Sequence, residues 1–597
     1  MSFHPNDVVR RGRAASVIVC GVLVFLLSAF FRTQVVKNKQ LLTQSEENRL
    51  RQIPLPAPRG LIYDRNNKLI ADNAVGYSIA VLTENEDSLR ANMTRLRETI
   101  AITNRQFEQA IQRYRKDRGR PVVILPDASF DIISMLEEHR IDYPNLIIQS
   151  APKRIYPAGK AVGAFAGYIG EITEDELTKY SADGYKAGQQ IGKQGLEKQY
   201  EQELRGREGA QFVEVDSRGR IVNRSGARPD IPPVAAKPLK TNIDLDLQTF
   251  IEGLFGDTLS GAAVALDPQT GGVLAVYSSP AVDPNRWIGG IPKSYYDSLN
   301  NDPRRPLYNK AIQGAYAPGS TWKLATALVG LQDSVITFED RMPTPCVGYY
   351  YWGNRPWKCW DKNGHGNPNL TQAIAQSCDV YFYQLGLKVG LSRLVAGGLK
   401  LGFKAKTGID LPEEKPSLFP DRVPEYFNQK YPRGWTQGAH ALNLSIGQGD
   451  NSQTVLNMAR FYAALAMNGL SPTPRIAVAK TETTRQFELP AEQFNLLRAA
   501  LVGVVTSGTA AASAIQGIQM AGKTGTAQSG HYTANNVELN FAWFTGFAPA
   551  DDPKIVVAVM LEDVLYHGSV TAKMGSAIIN RYLKVQATSQ INTEGDN

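Results

Sequence analysis

Pro318-Gly319-Ser320-Thr321-Trp322-Lys323 runs directly into Leu324-Ala325-Thr326-Ala327-Leu328-Val329. A Pro-Gly turn opening an apolar run predicts a helix with Ser320 near its start. Ser320 and Lys323, three positions apart, then share one helix face. A serine hydroxyl is a poor nucleophile until a neighbouring base takes its proton, and an amine in a desolvated cleft can serve as that base. A helix N-terminus also favours negative charge developing beside it. Alone the pattern is weak, because S-x-x-K recurs by chance and Ser320 as a plain N-cap explains it equally well.

Two further segments give it weight. Ser377-Cys378-Asp379 lies 57 residues on, and Lys523-Thr524-Gly525-Thr526 lies 146 beyond that. Further out, Gly261–Leu266 and Gly272–Tyr277 flank a turn at Asp267-Pro268-Gln269-Thr270-Gly271, which predicts an antiparallel hairpin. Ala542–Phe547 and Ile555–Met560 flank Ala550-Asp551-Asp552-Pro553 and predict a second one. Thr571–Val585 follows with a helical pattern, and the sequence between the hairpins is helix-rich. Strands at both ends with helices between predict one α+β unit, an antiparallel sheet flanked by helices and closed by distant chain segments. Lys523-Thr524-Gly525 is then expected on an edge strand of that sheet.

The N-terminal half reads differently. Ala14–Phe31 is eighteen residues without a charge, preceded by Arg10, Arg11 and Arg13. As a helix it rises about 27 Å, enough to cross a hydrocarbon core. Bulky Phe30 and Phe31 stand where a signal-peptide cleavage site would need small residues, so an uncleaved anchor is expected. Gln34–Gln52 is helix-compatible and ends at Pro54, Pro56 and Pro58. Arg59–Arg65, a turn at Asn66-Asn67 and Lys68–Ala71 predict strand, turn, strand. Residues 75–235 alternate short strands with amphipathic helices and carry no catalytic spacing. Leu196–Tyr200 and Leu204-Arg205-Gly206 read as a helix capped by glycine, and Pro229–Pro238 as a linker. The expected division is a cytoplasmic tail over 1–13, an anchor over 14–31, a pedestal over 32–236, a catalytic unit over 237–586 and a flexible tail over 587–597. With 597 residues, 43% hydrophobic and 20% charged, the chain is ordinary multi-domain globular protein. Its net charge of +8 is 65 basic against 57 acidic residues. No basic stripe interleaved with aromatics marks a nucleic-acid partner.

The three motifs, in this order, resemble those of penicillin-binding proteins and class A β-lactamases; it is the likeness of the grouping, more than its spacing, that points there. More of the chain resembles class B penicillin-binding proteins, almost end to end. Arg32-Thr33-Gln34, Pro58–Arg65, Gly195-Leu196-Glu197, Asp267–Gly271 and Gly447-Gln448-Gly449 look like that family's landmarks. Ser377-Cys378-Asp379 and Gly364-His365-Gly366 look more like penicillin-binding protein 2, the elongation type, than the division type. Two departures stand out: Asp379 replaces the commoner asparagine, and Phe541 stands where many relatives have histidine. The resemblance implies a serine-type D-Ala-D-Ala carboxypeptidase/transpeptidase with a pedestal domain. It also implies peptidoglycan stem peptides as donor, a SEDS-family membrane glycan polymerase as partner and β-lactams as covalent inhibitors.

The expected chemistry assigns Ser320 as nucleophile, with Lys323 hydrogen-bonded to it as base and Ser377 relaying the proton to the leaving amine. Asp379 completes the catalytic group. Lys523, Thr524, Gly525 and Thr526 would hold a terminal carboxylate, and the Ser320 and Thr526 N–H groups an oxyanion. No second carboxylate for activating water is evident, which favours an amine acceptor. A β-lactam-hydrolysing or sensing protein and an inactive scaffold are the alternatives.

Of four cysteines, Cys20 lies in the anchor. Cys346, Cys359 and Cys378 fall close together with His365 among them, a Cys₃His set suited to one structural zinc. A Cys346–Cys359 disulfide, or free thiols, remain the competing readings for an exported segment.

Overall fold

The computed structural model of the chain describes residues 5–39, 50–118, 120–143, 145–215, 221–223, 229–565 and 567–594. The first helix, Pro5–Phe31, starts ahead of the apolar segment and takes in its arginines. A π-helical turn, Arg32–Val36, continues it, and Val9–Val36 is long and apolar enough to cross a membrane, with none of its apolar window buried against protein. A helix of this length and composition suits a hydrocarbon core.

The helix expected up to Gln52 is not what the chain forms. Leu50–Leu55 is a strand, antiparallel to Gly209–Val215, and residues 40–49 lie outside the described residues. Ile53 is buried there against Val213, Val215 and Leu82, a partnership made from far along the chain that overrides local helix propensity. Pro54 is tolerated because this is an edge strand.

Ile62–Tyr63 and Leu69–Val81 form the predicted strand–turn–strand, with Asn67 at φ 64°. Leu69–Val81 pairs with Val122–Leu125 and Leu146–Ile155, and helices Glu86–Thr99, Asn104–Lys116 and Phe130–Glu138 bury their apolar faces against that sheet. Thr103 and Gln106 form a capping box at the second of these helices.

The glycine cap expected after Leu204 is absent. Two short helices, Gly195–Gln199 and Glu201–Leu204, end in extended Arg205. Gly206 serves close packing instead, since a Cβ there would lie 2.6 Å from that of Ala57. Glu197 has the structural role the helix pattern did not reveal. It is fully buried, bound by the Arg59 Nε at 2.5 Å and the Arg154 Nε at 2.6 Å, and accepts from the Tyr156 hydroxyl at 3.1 Å. Burial pushes its carboxyl up, but the two guanidiniums outweigh that and hold it below the ordinary carboxylate range.

The Pro229–Pro238 segment is not a free tether. Ile231 and Val234 bridge back to Ala210 and Arg207, and Leu239–Lys240 then pairs in parallel with Ile62–Tyr63. The prolines lack N–H groups, but the residues between them supply the bonds.

The second half is built on one five-stranded antiparallel sheet. Its order is Val273–Ser279, Gly261–Leu266, Ile555–Val564, Glu538–Ala548 and Ala521–Tyr532. The hairpin predicted early in this unit and the one predicted late meet at its centre, and the Lys523-Thr524-Gly525 strand is its edge. Helices Leu245–Phe255, Val455–Ala466, Ala491–Thr506 and Gly568–Glu594 pack on it. The last helix continues through Glu594, so residues 587–594 are helical where a flexible tail was expected; no proline or glycine between Gly575 and Glu594 stops it.

Candidate active site

Ser320 sits in a 3₁₀ turn, Gly319–Trp322, that tightens into the helix Lys323–Gln332. Neighbours on every side hold the turn. Trp322 is buried between Phe403 and Phe419, the Tyr462 hydroxyl donates to the Thr321 carbonyl at 3.0 Å, and the Trp543 indole donates to the Ala317 carbonyl at 2.9 Å. Gly319 has φ 53°, a left-handed conformation that glycine adopts without steric cost. A Cβ on it would meet the Thr526 carbonyl oxygen at 2.6 Å. The Gly319 N–H donates to the Gly447 carbonyl at 3.0 Å. Ser320 is thereby wedged between the Gly447 turn and the edge strand, with Thr526 against the peptide that precedes it.

Lys323 is fully buried. Its Nζ donates to the Ser377 carbonyl at 2.7 Å, to the Ser377 Oγ at 3.2 Å and to the Asp379 Oδ1 at 2.8 Å. The expected Lys323–Ser320 hydrogen bond is not formed, because these three acceptors draw the amine toward the second motif. Ser377 itself has φ 56° between helices Leu370–Ala375 and Asp379–Val389, so its carbonyl and hydroxyl are both presented to Lys323. Asp379 opens the second helix and also accepts from the Trp360 N–H at 3.0 Å. Burial pushes its carboxyl up, and the Lys323 ammonium pulls the other way.

On the facing strand, Lys523 is fully buried and donates to the Thr524 carbonyl at 3.1 Å. Among the described residues it has no carboxylate partner within ion-pair distance. Burial and the nearby Lys323 hold its amine well below the usual lysine range, with Asp379 opposing them. The Thr524 hydroxyl meets that of Thr509, and the Thr526 hydroxyl accepts from the Gly568 N–H at 3.2 Å. Gly525 allows the strand to close on the nucleophile turn, since a Cβ there would lie 2.7 Å from the Pro318 carbonyl. The structure therefore brings Ser320, Lys323, Ser377 and Asp379 together opposite Lys523–Thr526. Phe541 packs edge-on against Tyr316 at 5.2 Å.

Gly319, Gly447 and Thr509 were not assigned roles from the sequence. Gly447 stood out only as a landmark, and Thr509 carries no local signal for its pairing with Thr524.

Cys346, Cys359, His365 and Cys378 also converge, their donor atoms all within 4.8 Å of one another. The His365 Nδ1 is 3.6 Å from the Cys346 sulfur and 3.5 Å from that of Cys359. Cys346 and Gly366 exchange backbone hydrogen bonds that close the loop, and the cysteines are unpaired thiols. A tetrahedral zinc with sulfur ligands at about 2.3 Å has ligand–ligand edges of about 3.8 Å, so the donor set fits that ion. A hydrogen bond from Cys378 drives the Cys359 thiol toward thiolate.

The sequence model of the penicillin-binding protein transpeptidase domain matches residues 261–580, and that of the penicillin-binding protein dimerisation domain matches 54–240. The chain is 32% identical to the peptidoglycan D,D-transpeptidase MrdA of Haemophilus influenzae, over 96% of this chain and 91% of that protein. It is similar to the penicillin-binding protein PBP2 of Helicobacter pylori, solved in complex with MreC, at TM-score 0.78 and 26% identity over 90% of this chain and 99% of that one. It is also similar to a chain of a peptidoglycan synthase complex that coordinates polymerization and crosslinking, at TM-score 0.69 and 26% identity over 95% and 97% of the two chains.

Proposed function

The chain belongs to the penicillin-binding protein transpeptidase family, and from that premise we propose how its residues carry the reaction. The enzyme is a peptidoglycan D,D-transpeptidase of the elongation type. The Ser320 Oγ attacks the carbonyl carbon between the two terminal D-alanines of a stem peptide. Its proton passes to the Lys323 amine and on, through Ser377, to the leaving nitrogen, so the terminal D-alanine departs as a free amine and an ester remains on Ser320. An amine from a second stem peptide attacks the ester, forms the cross-linking amide and returns a proton to Ser320. Water in place of the amine gives the carboxypeptidase reaction. Asp379 holds the Lys323 amine in place between proton transfers. Lys523, with the hydroxyls of Thr524 and Thr526, receives the donor's terminal carboxylate, and the Ser320 and Thr526 N–H groups receive the oxyanion.

The observation that supports this reading best is the buried Lys323 amine, held by Ser377 and Asp379, with a second buried lysine, Lys523, that has no carboxylate within ion-pair distance among the described residues. β-Lactams act as covalent inhibitors by entering the same path. A gel with fluorescent penicillin tests it: stable labelling of the wild type and none of a folded Ser320→Ala variant is expected. Labelling of Ser320→Ala would refute the assignment, rapid loss of label would indicate hydrolysis, and an unlabelled wild type would indicate a scaffold.

The apolar N-terminal helix anchors the chain in the cytoplasmic membrane by a single pass, with the catalytic unit outside the cytoplasm. The pedestal, residues 32–236, engages a SEDS-family membrane polymerase. Related chains solved with MreC and in a synthase complex support a docking role for it. Cys346, Cys359, His365 and Cys378 hold one structural zinc, which braces the loop behind Ser377 without touching substrate.

A further inference from the structure

Between Cys346 and Cys359 the chain forms a two-stranded hairpin, Tyr349–Trp352 against Arg355–Lys358. Strand pleat sends alternate side chains to opposite faces. Tyr350, Trp352 and Trp357 turn inward and pack with Tyr383 and Leu442, which roots the hairpin on the catalytic unit. The other face carries Tyr349 and Tyr351 on one strand and Pro356 and Lys358 on the other; two residues past the strand, Trp360 packs against His365 with ring centroids 5.3 Å apart. A solvent face should be polar. Here Tyr349 is 43%, Tyr351 64% and Trp360 57% exposed. The two tyrosine rings lie 5.3 Å apart, nearly perpendicular. Residues 347–360 contain no carboxylate, and exposed Lys358 pairs with Tyr349 across this face, whereas Arg355 stacks on Trp357 of the opposite one.

Trp360 ties this face to the reaction centre. Its backbone N–H donates to Asp379 and its indole N–H to the Gln376 carbonyl, both at 3.0 Å, so it grips both sides of Ser377. A ligand that reaches from the tyrosines to Trp360 lies beside the turn that holds Lys323.

We propose that this face binds the glycan strand of peptidoglycan and so presents its stem peptides to Ser320. Pyranose rings expose C–H faces that stack on flat aromatic rings, whose polar tips stay wet. The positive charge of Lys358 matches a polymer whose stem peptides carry carboxylates. A protein partner would use aromatic anchors too, but at the centre of a broad, fully desolvated patch. This face is instead a narrow row on a hairpin of four residues a strand, a shape that suits a linear polymer. The inference rests on the transpeptidase reading, and its test separates the two.

The probe is peptide-free glycan strands of alternating N-acetylglucosamine and N-acetylmuramic acid, with full-length detergent-solubilised protein. The wild type should bind them, with a change in tryptophan fluorescence. Tyr349→Ser/Tyr351→Ser should lose about tenfold or more in affinity, while its fluorescent-penicillin acylation rate and melting temperature stay at wild-type values. Trp360→Phe should retain more affinity than Trp360→Ala. A wild type that ignores the strands overturns the proposal, as does a double variant that binds them equally well. Unchanged glycan affinity combined with loss of a co-purifying membrane polymerase would identify the face as a protein interface instead. Failure of penicillin to acylate the wild type would strike the transpeptidase reading, not the glycan face.

Discussion

Lys523→Met separates function from stability in this fold. Lys523 is buried with no carboxylate partner among the described residues, and its amine donates to the adjacent Thr524 carbonyl. A donor's terminal carboxylate would supply the missing partner in a charge-assisted hydrogen bond worth roughly 1.5–3 kcal/mol. Methionine fills the same volume without charge, so acylation efficiency by stem peptide and by penicillin should fall roughly 10- to 150-fold. Stability should move the other way. Burial holds the Lys523 amine well below its ordinary range, so the unfolded chain binds more protons than the folded one. The cost of burying the amine is greatest below its folded pKa and vanishes as pH rises past about 10.4, the value for an unperturbed lysine. Lys523→Met should therefore melt above the wild type at neutral and lower pH, with the advantage shrinking toward high pH. Stopped-flow acylation and thermal scans across pH measure both effects. An acylation rate within about threefold of wild type, or a stability gain that grows with pH, would refute the reasoning.

Gly319→Ala places a Cβ 2.6 Å from the Thr526 carbonyl at φ 53°. The resulting shift of Ser320 should cost about 100-fold in acylation rate while the pedestal stays folded; stopped-flow labelling and circular dichroism check this. Glu197→Gln leaves Arg59 and Arg154 without their shared buried counter-charge and should destabilise the protein by about 3–5 kcal/mol in urea unfolding. Because Glu197 titrates below its ordinary range, its contribution is complete above about pH 4.3 and is lost as pH falls through the folded value, so the variant should unfold with a shallower acid dependence. Native mass spectrometry should find about one zinc per chain with no disulfide. Chelation or Cys346→Ser should remove the ion and lower the melting temperature, whereas a Cys346–Cys359 cross-link without metal would refute the site.

The α+β class, the two hairpins and the Ser320–Lys323 helix were legible in the sequence because each is a local pattern: alternating apolar runs around turn residues, or an apolar run behind Pro-Gly. The apolar anchor segment and the Cys₃His spacing were legible for the same reason, as composition within a short window. Tertiary contacts decided the rest. Leu50–Leu55 becomes a strand only because Gly209–Val215 lies beside it, and the Pro229–Pro238 segment is held by bonds to residues that local pattern does not name. Glu197 stood out only as part of a family landmark, and its role became visible when Arg59 and Arg154 arrived from two other segments to neutralise it. The motif letters placed Lys323 next to Ser320, yet its amine turns to Ser377 and Asp379, because a buried ammonium goes where acceptors are densest, and those acceptors come from a helix start more than fifty residues away.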